Sequence, residues 1–423
     1  MKGFFSLSQA DTTLQGDALC SMCPLSSANC LTPKMPPTGK FQKQILIVGE
    51  APGAEEDKVG KQFVGKAGKK LRWALSLLDY DLERDFLVTN TVNCRPPKNR
   101  TPVRKEIEAC RPMLLSLIDK YKPKVIILLG SVATQLIKVE WKKGIDSFLS
   151  VTGHLIPSKR FNCWLAPIFH PSFVMREEAR NPVINKLFLY QLRNAISYAD
   201  KPLPFNYLDE PEKCSKLLLE EKDIIIQLKK VLRIARKNKI ALAFDYETTG
   251  LKPHAEVHKI HNISFSYDLN QSYSFWTDGN EDFLNLWFRI LKHPNILKIA
   301  HNMKYEDSWT YHLYGFRPKP WYWDTMLVAH VLDNRSNLVS LKLQSYLHFG
   351  VAGYDDDIKK FLKADTSNDK NTVAFAPKQK ILLYNAIDSL MTFRLFAYQH
   401  TIIYKEDVQG ISNLNKEPFL AYI

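Results

Sequence analysis

The chain places two acids one residue apart. In Phe244-Asp-Tyr-Glu-Thr-Thr-Gly-Leu251 the carboxylates of Asp245 and Glu247 stand at i and i+2. The preceding run, Ile240-Ala-Leu-Ala-Phe244, reads as a buried strand, on which i and i+2 share a face. Carboxylates side by side repel each other, and hard divalent cations make the arrangement favourable; such cations commonly serve attack on a phosphodiester. Taken alone, an Asp-x-Glu pair also suits an exposed edge strand. Downstream, Tyr384-Asn-Ala-Ile-Asp388 lies in an apolar, helix-patterned stretch from Ile381 to Phe396. Tyr384 and Asp388, four apart, share one helix face, so Asp388 can complete a carboxylate cage while the Tyr384 phenol orients a water. A third signal, Ala300-His-Asn-Met-Lys-Tyr-Glu-Asp-Ser-Trp309, follows the strand-like run Ile296–Ala300.

The N-terminal half offers different chemistry. It carries Cys20-Ser-Met-Cys23, then Cys94, then Cys110. A zinc ribbon closes with two Cys-x-x-Cys knuckles, and this chain has one. Spacing alone leaves an iron–sulfur cluster, zinc and unliganded thiols open; Cys30, Cys163 and Cys214 read as ordinary thiols. Gly49-Glu-Ala-Pro-Gly53 ends a strand-like run, and Gln62-Phe-Val-Gly-Lys-Ala-Gly68 opens a helix, a place where backbone N–H groups can cradle phosphate. Thr89-Asn-Thr-Val-Asn-Cys-Arg-Pro-Pro-Lys-Asn-Arg-Thr-Pro102 and His170-Pro-Ser172 follow further strands.

These residues need scaffolds. Runs at 44–48, 86–89, 124–129 and 164–168 read as strands, with helices at 68–78 and 104–121 between them, an α/β layer with a mostly parallel sheet. Three prolines within 200–212 suit a linker. A helix over 221–236 then feeds a second α/β pattern, in which the polar stretch 365–371 is expected to be a mobile loop. The expected domains are residues 1–199, a linker at 200–212, residues 213–400, and a tail at 401–423. The 423 residues suffice for two cores, and 58 Lys+Arg against 44 Asp+Glu give a net charge of +14, which favours a polyanionic partner. No apolar stretch is long enough to span a bilayer, and residues 1–11 lack the apolar core of a signal peptide. Seven cysteines, an odd number, argue against a secreted disulfide framework. The chain is expected in the cytoplasm, the host's if a phage encodes it.

Residues 213–400 resemble the 3′–5′ proofreading exonuclease domain of bacterial and phage family A DNA polymerases, an RNase H-like fold of the class with three Asp, one Glu and a Tyr. The resemblance implies that Asp245, Glu247 and Asp388 hold two Mg²⁺ or Mn²⁺ ions and that Tyr384 positions the nucleophilic water. The second motif departs from the pattern: the usual Asp falls on Glu306, with Asp307 next to it. Glu306 is taken as the acid and Asp307 as the alternative. Asp324 matches a further acid of that family or serves as a helix N-cap. The expected substrate is a frayed or single-stranded 3′ end.

The glycine loops, the 89–102 segment and His-Pro-Ser together closely resemble family 4 uracil-DNA glycosylases, the iron–sulfur branch, an α/β/α fold. This implies that Cys20, Cys23, Cys94 and Cys110 ligate a 4Fe–4S cluster. It also implies that Phe63 stacks on a flipped uracil, Asn90 bonds the uracil edge, and His170 donates to O2 of the leaving base. Gly49 and Ala51 are expected among the substrate-binding residues, while Glu50 and Asn99 help place water or the loop. Ala51 stands where the best-known glycosylase family has its Asp base, so leaving-group stabilisation carries the reaction. The segment Arg95–Pro102 has the hydrolytic form rather than the His-bearing insertion of branches that trap abasic DNA.

The expectation is a two-domain α/β enzyme of DNA repair or replication that excises uracil and trims 3′ ends of DNA. The alternative is a non-catalytic uracil-sensing DNA-binding module tethered to the exonuclease. About two dozen residues follow the Tyr384/Asp388 helix, so a polymerase is expected either on a separate chain or beyond a truncation.

Overall fold

A computed structural model describes residues 19–404 apart from 29, 143–146, 207, 255–257, 278–280 and 367–368. The signal-peptide reading of residues 1–11, most of the 401–423 tail and the middle of the 365–371 loop lie outside the described residues. The chain divides into two compact units, Met1–Leu203 and Pro204–Ile423. No described helix is long and apolar enough to cross a membrane.

The first unit is built on five strands: β1 (Ile45–Gly49), β2 (Phe86–Asn90), β3 (Val125–Leu129), β4 (Ile156–Ser158) and β5 (Cys163–Ile168). They lie in the order β2-β1-β3-β5-β4, all parallel except β4. Each is buried along its whole length, as expected of near-continuous apolar runs covered on both faces. Helices α1 (Lys66–Ser76), α2 (Arg104–Tyr121) and α3 (Pro171–Glu177) follow three of the parallel strands. Parallel packing gathers the carboxyl ends of β1, β2, β3 and β5 on one edge, and the order reverses at β1, where open α/β sheets usually take ligands.

The second unit holds β6 (Ser215–Leu218), β7 (Ile240–Thr248), β8 (Ile260–Ser266), β9 (Ser272–Trp276), β10 (Ile296–Ala300) and β11 (Trp321–Asp324), ordered β11-β10-β7-β8-β9-β6. The β7–β8–β9 core is antiparallel and its flanks are parallel. Helices α4 (Glu221–Lys237) and α5 (Glu281–Lys292) cover one face with an aromatic-rich core that includes Phe244, Tyr246, Phe265, Phe275 and Trp287. The other face takes the last helix of this unit, Lys378–Ile403, buried along nearly all its length as its mostly apolar sequence requires. Ser264 and Ser274 dock that helix by donating to the carbonyls of Asn385 and Leu382, each at 2.7 Å.

Alternation along β7 decides what meets this helix. Leu242, Phe244 and Tyr246 enter the aromatic core, while Ala241 and Ala243 pack against Phe393 and Phe396. Asp245 and Glu247 continue the alanine face. Small residues there let the helix approach closely. The strand expected over 240–244 runs on to Thr248, so the acid motif lies within it, with a register shift after Glu247. A short helix, Pro211–Cys214, starts at the end of the expected linker and runs past it. Asn371, at the end of the stretch expected to be a mobile loop, is tied to β7: its Nδ2 donates to Thr248 O and its N to Thr249 O, both at 2.9 Å.

Candidate active sites

At the carboxyl edge of the first sheet, Glu50, Ala51, Phe63, Asn90, Asn99 and His170 line one cavity of about 560 Å³, together with Ser172 and Arg176. Gly49 and Asn90 are register partners at the ends of β1 and β2. A Cβ on Gly49 would lie 2.3 Å from Asn90 Oδ1 and 2.6 Å from Phe63 Cζ, so only glycine leaves this recess open. Phe63 adopts φ +55°, an unusual backbone for an aromatic residue. Gly68 makes room for it, since a Cβ there would lie 1.6 Å from the Phe63 carbonyl oxygen. Arg72 donates to the same carbonyl.

The Asn90 amide is oriented from behind. Its Nδ2 donates to Gln62 Oε1 at 2.5 Å, and Gln62 Nε2 donates to the Pro36 carbonyl at 3.2 Å and the Met35 carbonyl at 3.4 Å. One Nδ2 proton and the Oδ1 acceptor remain, the complement of a base edge that has one donor beside one acceptor. Gln62 opens the glycine-bearing segment Gln62–Gly68, but nothing in its spacing marks it as the residue that fixes this amide.

His170 caps α3. Its Nδ1 accepts from Ser172 N at 3.2 Å and lies 2.7 Å from Ser172 Oγ. A backbone N–H can only donate, so Nδ1 carries no proton and the neutral ring keeps its proton on Nε2. Burial, helped by the Arg176 charge, pulls the ring down to about 4, so it is neutral near pH 7. Burial raises the Glu50 carboxyl, opposed by a hydrogen bond from Thr101 and the Arg176 charge. Arg100 grips Glu106 at 2.6 and 2.9 Å, and Val103 N donates to the same carboxylate at 2.8 Å. These bonds brace the 95–103 segment that carries Asn99, whose Oδ1 accepts from Arg95 Nε at 2.7 Å.

A second cavity of about 310 Å³ gathers Cys20, Cys23, Cys94 and Cys110, with Cys30 as a fifth cysteine that sequence reading left aside. Burial pushes the Cys94 thiol up to about 11 and the Cys110 thiol to about 12. Backbone N–H groups nevertheless point at the sulfurs, with Lys34 N donating to Cys94 Sγ at 3.2 Å. No three of these sulfurs lie within 4.8 Å of one another among the described residues.

In the second unit, ligand atoms of Asp245, Glu247 and Asp388 all lie within 4.8 Å of one another. Asp388 comes from α9 (Lys378–Ile403), reached after α6 (Met303–Tyr314), α7 (Thr325–Leu332) and α8 (Leu341–Phe349). Asn385 Nδ2 donates to Asp245 Oδ2 at 2.7 Å; it sits inside the Tyr384–Asp388 motif, where spacing alone does not mark its side chain. Burial first, then the Asp388 charge, pushes Asp245 up to about 8, and burial with Asp245 and Asp388 raises Glu247 well above the carboxylate range. Glu306 is 2% exposed and its Oε2 has no hydrogen-bond partner. Burial and the nearby Asp245 charge raise its carboxyl as well. Its neighbour Asp307 instead pairs with Arg317 and accepts from Trp321 Nε1 at 3.1 Å. Asp324 caps α7, accepting from Met326 N and Leu327 N, and also holds Asn302 N and Met303 N at the start of α6. Tyr384 is buried, its ring centroid 6.0 Å from that of Tyr354.

Comparison with known proteins divides the chain in the same sense. Residues 36–193 match the uracil DNA glycosylase superfamily, and residues 220–401 match the 3′–5′ exonuclease family. A type-4 uracil-DNA glycosylase of Pyrobaculum aerophilum is 38% identical over 162 residues, 38% of this chain and 81% of that protein. One of Thermotoga maritima is 36% identical over 189 residues, 43% of this chain and 90% of that protein. A DNA polymerase of Bacillus phage SP01 is 24% identical over 388 residues, 84% of this chain but 40% of the polymerase.

Proposed function

The chain belongs to the type-4 uracil-DNA glycosylases through its first unit and matches the 3′–5′ exonuclease family through its second, and we propose that one polypeptide removes uracil from DNA and degrades DNA 3′ ends. The observation that carries the first activity is the convergence of Glu50, Phe63, Asn90, Asn99 and His170 on one cavity. A flipped uracil stacks on Phe63, presenting N3–H to Asn90 Oδ1 and O4 to the free Nδ2 proton. Cytosine offers the opposite pattern and is refused. As the C1′–N1 bond breaks, its electron pair moves into the base and charge grows on O2, where the neutral His170 Nε2–H donates. Ala51 supplies no base, so water adds to C1′ of a sugar already parting from its leaving group and gives up its proton to the departing uracil anion or to solvent. Glu50 and Asn99 hold that water or the loop beside it.

Cys20, Cys23, Cys94 and Cys110 would hold a 4Fe–4S cluster. Four cysteines around one cavity, with the Lys34 N–H donating to Cys94 Sγ, support such a group. The cluster would cross-link the N-terminal turns, the segment after β2 and α2.

The second activity rests on the carboxylate trio. Three acids brought together at half-buried and buried positions fit hard cations, and two Mg²⁺ or Mn²⁺ ions, when bound, supply water activation and leaving-group stabilisation. Asp245, Glu247 and Asp388 would hold the ions, Tyr384 would orient the water, and the inward-facing Glu306 would act as the second-motif acid. Asp307 is committed to Arg317. The likeness to a phage DNA polymerase supports service alongside a polymerase, on the same or a separate chain, in the host cytoplasm.

Incubation of uracil-containing single-stranded DNA followed by alkali tests the first reading. Strand breaks at uracil are expected, and their absence would refute glycosylase activity in favour of a uracil-sensing module. For the second, 3′-trimming of a labelled DNA oligomer in Mg²⁺ is expected to vanish in Asp245→Ala.

A further inference from the structure

Lys342 is the cation already at the carboxylate cage. It lies on α8, and its Nζ sits 2.7 and 2.5 Å from the two carboxylate oxygens of Asp388. The same ammonium stands 4.5 Å from the Tyr384 ring centroid and 5.4 Å from that of Tyr354. Tyr354 Oη donates to Asp388 Oδ1 at 2.7 Å. The Asp388 side chain is 4% exposed and that of Lys342 22%, so water screens the pair weakly. Lys342 also lies close enough to Asp245, Glu247 and His301 to act on their charges.

This placement has a consequence for metal binding. A divalent ion shared by Asp245, Glu247 and Asp388 must bond an Asp388 oxygen at 2.0–2.6 Å, and both oxygens now face the ammonium. A divalent ion and an ammonium on the same carboxylate repel strongly in a partly buried site. We propose that Lys342 is a built-in counter-ion of the exonuclease cage, which divalent ions must displace from Asp388 and which thereby weakens and sets their affinity. In the metal-free protein it neutralises the Asp388 carboxylate and holds it in place. It is a positioning residue that acts through Asp388, and the inference rests on the metal-binding reading of the trio.

The test is Mn²⁺ binding to the full chain, followed by the paramagnetic resonance of free Mn²⁺, in wild type and in Lys342→Met, Lys342→Gln and Lys342→Arg. Removing the charge in Met or Gln is expected to tighten Mn²⁺ on the order of tenfold, the scale of one charge-assisted hydrogen bond. Arg keeps the charge and should stay near wild type. Gln, which can still donate to Asp388, covers the case in which Met disturbs packing beneath the two tyrosine rings. Unchanged or weaker binding in both neutral variants would overturn the proposal, as would equal tightening in Lys342→Arg. Wild-type protein that binds no Mn²⁺ would instead refute the metal cage itself. Uracil excision, which does not involve these residues, should remain normal in every variant.

Discussion

His170 allows the leaving-group argument to be tested in detail. Its Nδ1 is taken by Ser172, so a single donor, Nε2–H, is left for the base. Removing one such preorganised donor typically costs 10²–10³ in rate, about 3–4 kcal/mol. His170→Ala also removes the cap of α3, worth about 1 kcal/mol of stability. His170→Asn keeps a good capping residue but lacks the reach of the imidazole. Both variants should lose excision by about 10²–10³-fold, while only Ala should lower stability through the cap. The assay is single-turnover release of uracil from a labelled single strand between pH 5 and 8. The ring is held down to about 4 by burial, so the wild-type rate should show no titration near pH 6.5 arising from His170. The sign for stability follows the same shift. The unfolded ring binds a proton near pH 6.5 and the folded ring does not, so folding stability falls as pH drops from about 6.5 towards 4. Allowing for partial exposure of the ring, that is roughly 2–3 kcal/mol, and it should be absent in His170→Asn. A rate limb near pH 6–7 that disappears in His170→Asn would refute the neutral-donor mechanism in favour of an imidazolium acid.

Other outcomes follow from the same geometry. Asp245→Ala should abolish exonuclease activity in a 3′-labelled oligomer assay and leave uracil excision near normal; joint loss would contradict two independent sites. Gly49→Ala should do the reverse, because its Cβ would strike Asn90 and Phe63, and excision should fall by at least about tenfold on the scale of an overpacked site. Anaerobically purified protein should be brown, and Cys110→Ala should lose that absorbance; colourless protein carrying zinc would refute the cluster. Mn²⁺ affinity should rise from pH 6 to about 8, because Asp245, pushed up to about 8, keeps a proton that the metal must displace, and calorimetry in buffers of different ionisation enthalpy would show the proton release.

Strands that are apolar throughout are easy to read, and β1, β3 and β10 lie within a residue of where the sequence puts them. The helix 104–121 is recovered at both ends, since proline precedes it and polar residues follow. Short or edge elements were not legible: β6 and β11 carry only four residues each and depend on neighbours for pairing. Motif acids were visible because Asp-x-Glu and Tyr-x-x-x-Asp have the periods of a strand and a helix. Gln62, Asn385 and Lys342 were not, because an amide or ammonium gains its role from what it faces across the fold.

The choice between Glu306 and Asp307 shows the division most clearly. Sequence alone places an acid four residues after Asn302, two acids on one strand face, and a Tyr and an Asp on one helix face. All of these are local periodicities. Only tertiary structure turned Glu306 inward, paired Asp307 with Arg317, and brought Asp245 to Asp388 across more than a hundred residues. The reason is packing: Ala241 and Ala243 let the last helix of the second unit settle against β7, and that approach makes separate acids into one site.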